Sequence, residues 1–208
     1  MIERALGFVS MSRYREILDA ARRLFYARGY EAVGIDAIGG EVGIAGPSIY
    51  THFRGKADIL AALFEESMDR MVELAGPQRE DPREELEHLV RAHAIFAVDQ
   101  RELLTIYTRE ERSLSTEARR RFRRRESSYL DRWVRPLRQL HPGRSLHESR
   151  SEASAVIGML MSVTGWPRDA LRTPDLPELL AELALRALDL TPPVRPAGRR
   201  AGIRARHD

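Results

Sequence analysis

The sequence predicts an all-α protein of two parts, with about nine helices in total. Three observations lead to this fold class. Apolar residues recur at spacings of three and four along almost the whole chain, and no segment alternates clearly with period two. Glycine, proline and acidic residues stand where helices are expected to begin and end. The first part covers residues 12–72 and the second covers residues 81–190.

The N-terminal part contains three helices and a long connecting fourth helix. Gly29 ends the first apolar stripe where a left-handed helix cap is expected. Gly43 permits a turn with positive φ, and Pro47 suits the first turn of a helix. We expect residues 1–11 to form an N-terminal extension outside this unit. The expected helices cover, in order, about 12–28, 35–42, 47–53 and 56–76.

The second part adds five helices. Asp81, Pro82 and Glu84 have the pattern of an N-cap, a proline at the first helical position and the acid of a capping box. The last two helices are apolar over broad faces, which predicts a homodimer through a four-helix interface of twofold symmetry. Ordinary core helices are the alternative. The helices that follow the one opened by Asp81 cover about 100–114, 115–140, 147–166 and 174–190.

Composition excludes several classes of protein. The 208 residues include no cysteine, so a disulfide framework, a thiolate metal site and a cysteine nucleophile are ruled out. No run approaches the roughly 18 apolar residues of a membrane span, and no secretory signal is apparent, so we expect a cytoplasmic protein with no membrane partner. The pattern contains no catalytic or metal-binding motif, and we expect no cofactor. Residues 191–208 hold five arginines and one aspartate, which predicts a basic, disordered tail.

Residues 34–53 have the pattern of a helix-turn-helix, whose second helix enters the major groove of DNA. A phosphate-binding loop is the competing interpretation of the glycines. That motif requires Ser or Thr after its lysine, whereas Ala57 follows Lys56, and no buried strand precedes the glycines. The pattern therefore favours DNA binding.

One stretch, residues 15–60, carries a series of short motifs at characteristic spacings. They are Ile17-Leu18-Asp19-Ala20-Ala21, Leu24-Phe25, Gly29-Tyr30, Ile38-Gly39, Val42-Gly43-Ile44, Ile49-Tyr50-Thr51-His52-Phe53, Lys56 and Leu60. This pattern resembles the N-terminal domain of the TetR family of transcriptional regulators. The resemblance implies a dimer that binds a palindromic DNA operator, usually as a repressor, and a second domain that binds a small-molecule effector which releases the DNA.

The resemblance also implies which residues contact DNA. Lys56 stands at the family's phosphate-contacting lysine, at a helix N-terminus whose free N–H groups favour phosphate. Ile49 and Phe53 lie on the inward face and are expected in the core. A packing role is the alternative for Tyr50. The expected DNA-binding residues are Pro47, Ser48, Tyr50, Thr51, His52 and Lys56.

Departures from the family pattern predict a soft DNA-binding unit. Val33-Gly34 and Ala45 stand where the family usually has capping Ser or Thr, and a lost cap costs about 1 kcal/mol. Gly39 is expected to let two helices pack closely. Gly40 has no such role, and inside a helix it costs roughly another 1 kcal/mol relative to alanine.

Polar side chains on the apolar stripes of the second part are the candidates for an effector pocket. A core histidine bonded to a backbone carbonyl is the alternative for His93, and ordinary core aromatics are the alternative for Tyr129 and Trp133. The expected ligand-binding residues are His93, Tyr107, Glu110, Arg125, Tyr129 and Trp133, and Glu126 is the alternative to Arg125.

The run Arg119–Arg125 places six arginines around Phe122. One interpretation is an anion clamp for an acyl-CoA, because guanidinium groups pair bidentately with phosphate. The other is a solvated helix face. The segment 107–133 is also similar to TetR members that sense CoA thioesters. Two further functions stay open at this point: an architectural DNA-binding protein without an effector, and an all-helical enzyme of unknown reaction.

Overall fold

The computed structural model describes residues 2–190, with side chains from Ser12 onward. Over these residues the protein is all-helical, which confirms the predicted fold class. Short 3-10 turns follow α6 at Glu111–Ser113, follow α8 at Ser162–Gly165, and precede α9 at Ala170–Arg172. The α-helices of the described part are α1 (Ile2–Arg28), α2 (Ile35–Glu41), α3 (Gly46–Ile49), α4 (Lys56–Ala75), α5 (Pro82–Asp99), α6 (Arg101–Glu110), α7 (Thr116–Leu140), α8 (Leu146–Met161) and α9 (Leu176–Ala187).

Several predicted boundaries need correction. Helix α1 begins at Ile2, so residues 2–11 continue the first helix instead of forming a separate extension; they contain no proline to stop it. Helix α3 is a single turn, and the chain continues through turns that carry the residues after Ile49. Helix α9 begins two residues later than expected because Asp175 has a left-handed backbone, with φ of 51°. The predicted basic tail, residues 191–208, lies outside the described residues.

Helix ends follow the local chemistry of the chain. The Asp81 carboxylate accepts the backbone N–H of Glu84 at 2.8 Å and caps α5. Ser145 and Glu148 form a complete capping box on α8. Helices α2 and α3 have no side-chain cap, as expected from Gly34 and Ala45. Their contact depends on Gly39, where an added Cβ would lie 2.8 Å from the Ile44 carbonyl oxygen.

The side chains form two hydrophobic cores. The first joins α1–α4 to the beginning of α7 and to α6, through residues such as Ile106 and Phe122. The second joins the end of α4 to α5, α7, α8 and α9. Helix α4 contributes Met68 to the first core and Met71 to the second. The helix that follows the helix-turn-helix is therefore shared by both parts of the protein.

The end of α4 is held by α7. The Arg132 guanidinium donates to the carbonyl oxygens of Ala75 at 3.0 Å and Gly76 at 2.7 Å, and to the buried carboxylate of Glu85 at 2.6 Å. Burial raises the pKa of Glu85, but the hydrogen bonds from Arg132 and from the backbone N–H of Arg79 outweigh it and lower that pKa overall. The turn between α4 and α5 is thus fixed to the long helix. Among residues 2–190, no helix is both long and apolar enough to span a lipid bilayer.

Candidate DNA-binding surface and effector cavity

The residues expected to contact DNA lie on one surface around α3. Pro47, Ser48 and Thr51 are exposed, and Tyr50 is 58% exposed, the highest value among the large apolar side chains of the described part. His52 is half-buried. An aromatic ring this exposed has no packing role in the free chain, so the alternative interpretation of Tyr50 as a core residue is set aside.

Buried neighbours fix the orientation of this surface. Ile49 and Phe53 are buried, as the sequence predicts, and the Phe53 ring stacks on Tyr14 of α1 at 4.8 Å. The Thr51 hydroxyl donates to the Ser48 carbonyl oxygen at 2.8 Å, which extends the helical turn past α3. Tyr50 therefore projects from a rigid turn that is anchored to the core on both sides.

Lys56 has a structural role that the sequence does not reveal. Its ammonium donates to the carbonyl oxygens of Tyr30 at 2.8 Å and Glu31 at 3.4 Å, and lies 4.1 Å above the Tyr30 ring. Its side chain is 23% exposed. Lys56 thus ties the first turn of α4 to the turn that follows α1. A phosphate contact by Lys56 stays a prediction. To make it, the ammonium must either bind the phosphate in addition to the two carbonyl oxygens or break its hydrogen bonds to them.

A second basic residue on this surface was missed. Arg54 is exposed in the turn between α3 and α4, and its backbone N–H donates to the Asp58 carboxylate at 3.1 Å, which closes that turn. The sequence contains a signal for this position. Arg54 directly follows Phe53, which was expected in the core, and precedes Gly55 at the start of α4, so it was expected in the turn between α3 and α4. A guanidinium at this position can reach a phosphate without breaking internal hydrogen bonds of the described chain.

A cavity of about 470 Å³ lies between α4, α5, α6, α7 and α8. Its wall is mainly apolar, with Phe64, Met68 and Met71 from α4 and Phe96 from α5. Arg123, Ser127, Ser154 and Gly158 are the exposed members of the lining and mark the mouth. A largely apolar cavity of this size with a few polar groups is typical of a small-molecule site.

Three of the six predicted ligand-binding residues lie in the wall of this cavity: His93, Tyr107 and Tyr129. His93 is 4% exposed, and its Nδ1 lies 3.2 Å from the Tyr129 hydroxyl. Burial lowers the pKa of His93 from 6.5 to about 4, so the ring is neutral. Trp133 is fully buried behind these two rings and does not line the cavity. No backbone carbonyl bonds the His93 ring in the described chain, contrary to the core-histidine alternative.

Tyr107 is paired with Glu126, the alternative to Arg125 among the candidate residues of α7. Its hydroxyl donates to Glu126 at 2.7 Å, and Glu126 also lines the cavity. Burial raises the pKa of Glu126, against the lowering effect of the Tyr107 hydrogen bond. Burial and this carboxylate both raise the pKa of Tyr107. Of the two neighbouring candidates on α7, Glu126 therefore lies in the cavity wall and Arg125 does not.

Glu110 and Arg125 lie outside the cavity wall, and their predicted placement is corrected. Glu110 accepts from the Ser113 hydroxyl at 3.2 Å at the end of α6. Arg125 faces α4, where it pairs with Glu65 at 2.7 Å and with Asp69 at 2.5 Å. These carboxylates are 60 and 56 residues away from Arg125 in the sequence, so the spacing of residues along one helix could not predict the ion pairs.

The arginine run makes internal contacts instead of one open anion clamp. Arg121 also pairs with Glu65, at 2.7 Å, and the two guanidinium groups outweigh burial and lower the pKa of that carboxyl. Arg123 pairs with Glu111 at 2.7 Å beside the cavity mouth. Arg119 donates to the carbonyl oxygens that precede α7. We name the ion pairs of Arg121 and Arg125 with Glu65 and Asp69 the α4–α7 ionic cluster.

Comparison with known protein families identifies this architecture. Residues 17–63 match the model of bacterial regulatory proteins of the tetR family, and residues 79–188 match the model of the tetracyclin repressor-like C-terminal domain. The chain belongs to the TetR family. Proteins of this family are transcriptional regulators, and residues 17–63 are the part that matches the family's N-terminal model.

Individual relatives agree with this assignment. The chain is 26% identical to the "Fatty acid metabolism regulator protein" of Bacillus subtilis over 122 residues, which are 57% of this chain and 63% of that protein. It therefore spans less than two thirds of that relative. The fatty acid degradation regulator FadR from Bacillus halodurans is 27% identical with a TM-score of 0.66, over 93% of this chain and 97% of that one. AibR, solved with isovaleryl coenzyme A and operator DNA, is 22% identical with a TM-score of 0.72, over 84% and 97%, and shows the same fold.

Proposed function

We propose that this TetR-family protein is a cytoplasmic repressor that binds a palindromic operator as a dimer and leaves it when a small molecule fills the cavity. The observation that carries the proposal is the position of α4. Its first turn follows the exposed Tyr50 surface directly, and its middle forms a wall of the cavity. Occupancy of the cavity and placement of the DNA-binding surface therefore depend on the same helix.

The dimer interface is proposed on α8 and α9. Leu179 and Leu183 are exposed on one face of α9, although leucine is usually buried. The exposed residues of α8 that do not line the cavity include two small ones, Ser151 and Ala155, which permit close approach of a second helix. Two copies of this pair make a closed four-helix interface of twofold symmetry, which matches the symmetry of a palindromic operator.

An acyl-CoA is the proposed class of effector. The apolar wall suits an acyl chain. Arg123 and Arg150 lie at the side of the cavity that opens to solvent, where their guanidinium groups can pair with the phosphates of a coenzyme. Both guanidinium groups already pair with carboxylates, Arg123 with Glu111 and Arg150 with Asp131. Phosphate binding therefore requires exchange of these partners. The relatives that respond to fatty acid metabolism or bind isovaleryl coenzyme A support the same class.

The DNA-binding part of the proposal is tested by footprinting the purified dimer on the DNA that flanks its own coding region. We expect one protected palindrome, and we expect Tyr50→Ala to abolish protection while leaving the dimer intact by size-exclusion chromatography. Val72 is also exposed and apolar but lies on α4, away from the Tyr50 surface. Val72→Ala is therefore the matched control and should bind the operator as the wild type does. Equal binding to any duplex supports an architectural protein instead.

The effector part is tested separately. Acyl-CoAs of increasing chain length are titrated into the complex of protein and operator, and we expect release of DNA at one range of lengths. No release at any length contradicts the acyl-CoA proposal and leaves the operator result unaffected.

A further inference from the structure

The wall of the cavity carries a polar atom that the described chain does not satisfy. His93 Nε2 is fully buried and has no hydrogen-bond partner among the described residues, although the ring lies in the cavity wall. The buried Ser67 of α4 lines the same cavity. Buried polar groups are almost always paired in native proteins, so His93 Nε2 requires a partner that enters the cavity.

The neighbours of His93 determine which ring nitrogen carries the proton. The Tyr129 hydroxyl lies 3.2 Å from Nδ1. Nδ1 is the one acceptor that the described residues place within hydrogen-bonding distance of this hydroxyl, so the Tyr129 O–H donates to Nδ1. A neutral imidazole that accepts at Nδ1 must carry its proton at Nε2. His93 therefore presents an N–H donor to the cavity.

We propose that His93 is a specificity-determining residue, and that the effector carries a neutral hydrogen-bond acceptor, a carbonyl oxygen in particular, on the part that is buried deepest in the cavity. The inference rests on the proposed function, because it takes this cavity to be the effector site. It narrows the proposed acyl-CoA class to members whose acyl chain carries a keto, ester or amide oxygen at its inner end, in preference to members with a plain hydrocarbon end.

Two alternatives for the inner group are less favourable. A hydrocarbon end leaves the His93 N–H without a partner and loses about five- to 150-fold in affinity relative to a bonded carbonyl. An ionised carboxylate gains one hydrogen bond, but it is buried near Glu126 and faces a neutral ring that offers no compensating charge. A neutral acceptor satisfies His93 without burying a second negative charge.

The protonation of His93 is tested without any ligand. The full-length dimer is labelled with ¹⁵N-histidine, and His93→Asn assigns the resonances of the His93 ring in a long-range ¹H–¹⁵N spectrum. We expect the proton on Nε2 at pH 7. We expect Tyr129→Phe, which removes the hydroxyl that fixes the ring, to shift the population toward Nδ1–H. A proton on Nδ1 in the wild type overturns the inference.

Ligand selectivity is tested with two probes of nearly equal shape, 2-acetylnaphthalene and 2-ethylnaphthalene. We expect the wild type to bind the ketone at least fivefold more tightly than the hydrocarbon, and we expect His93→Phe to bring this ratio close to one. Phe96→Leu alters the packing of the same wall but retains the His93 donor, so this variant should still bind the ketone more tightly than the hydrocarbon. An unchanged ratio in His93→Phe, or no binding of either probe, overturns the inference. Absence of operator binding contradicts only the proposed function, because these ratios require no DNA.

Discussion

His93 makes the stability of the protein depend on pH in a predictable direction. The ring is buried against Phe96, Tyr129 and Trp133, and burial lowers its pKa from 6.5 to about 4. Between these two values the unfolded chain binds a proton at this residue and the native protein does not. Stability therefore rises with pH across this window, and it is lost as the pH falls below 6.5.

The magnitude follows from the same two values. With 6.5 in the unfolded chain and about 4 in the native protein, lowering the pH from 7 to 5 removes about 2 kcal/mol from the free energy of unfolding through His93 alone. His93→Phe keeps an aromatic ring in the site and removes the titrating group. We expect the variant to lose about 2 kcal/mol less than the wild type between these pH values, whatever its stability at pH 7.

Urea unfolding of both proteins, followed by circular dichroism at one fixed protein concentration, measures this difference. Phe96→Leu is the matched control, because it alters the packing around the ring and retains the histidine. It should show the wild-type dependence on pH. If wild type and His93→Phe lose equal stability between pH 7 and pH 5, the ring is not buried as a neutral group and the reasoning fails.

Three further predictions concern the DNA-binding unit and the dimer. Gly40→Ala should stabilise the protein by about 1 kcal/mol in urea unfolding, because its Cβ meets no atom within 4 Å, whereas Gly39→Ala should destabilise it through a clash with a backbone carbonyl oxygen. Lys56→Met should cost about 1–3 kcal/mol in the same assay by removing the ammonium from the two carbonyls it bonds; unchanged stability would leave Lys56 free for phosphate. Leu183→Glu should convert the dimer to monomer in sedimentation equilibrium, and Val72→Glu, exposed on α4, should not.

The helices were predictable because their signals are local. Asp81 caps α5 as predicted, and Gly29 and Gly43 have positive φ at the helix end and at the turn where the sequence places them. The start of α1 was predicted at Ser12, whereas the helix begins at Ile2. No helix-stopping residue separates residues 2–11 from the rest of α1, so the two segments form one helix.

The cavity residues were predictable only where the helical spacing of apolar residues places a side chain on an inward face. His93 and Tyr129 are 36 residues apart, yet both lie on such faces, of α5 and α7, and they contact each other in the cavity wall. Charged residues follow no such rule, because their partners depend on how the helices pack. Arg125 was assigned to the ligand although it pairs with α4, and the distant carbonyls bonded by Lys56 could not be inferred from spacing.

In the proposed function, the α4–α7 ionic cluster sets the condition that an effector must meet. A ligand shifts a conformational equilibrium only by the difference in its affinity for the two states. A molecule that fits within the cavity of about 470 Å³ without moving α4 has no such difference and binds without releasing DNA. One that separates α4 from α7 must break three pairs, Glu65 with Arg121, Glu65 with Arg125 and Asp69 with Arg125, at about 0.7 kcal/mol each for partly exposed groups. That cost of roughly 2 kcal/mol means that an effector must bind the state with separated helices at least about 30-fold more tightly than the state with paired helices. The size and shape of the molecule therefore decide whether its binding releases DNA.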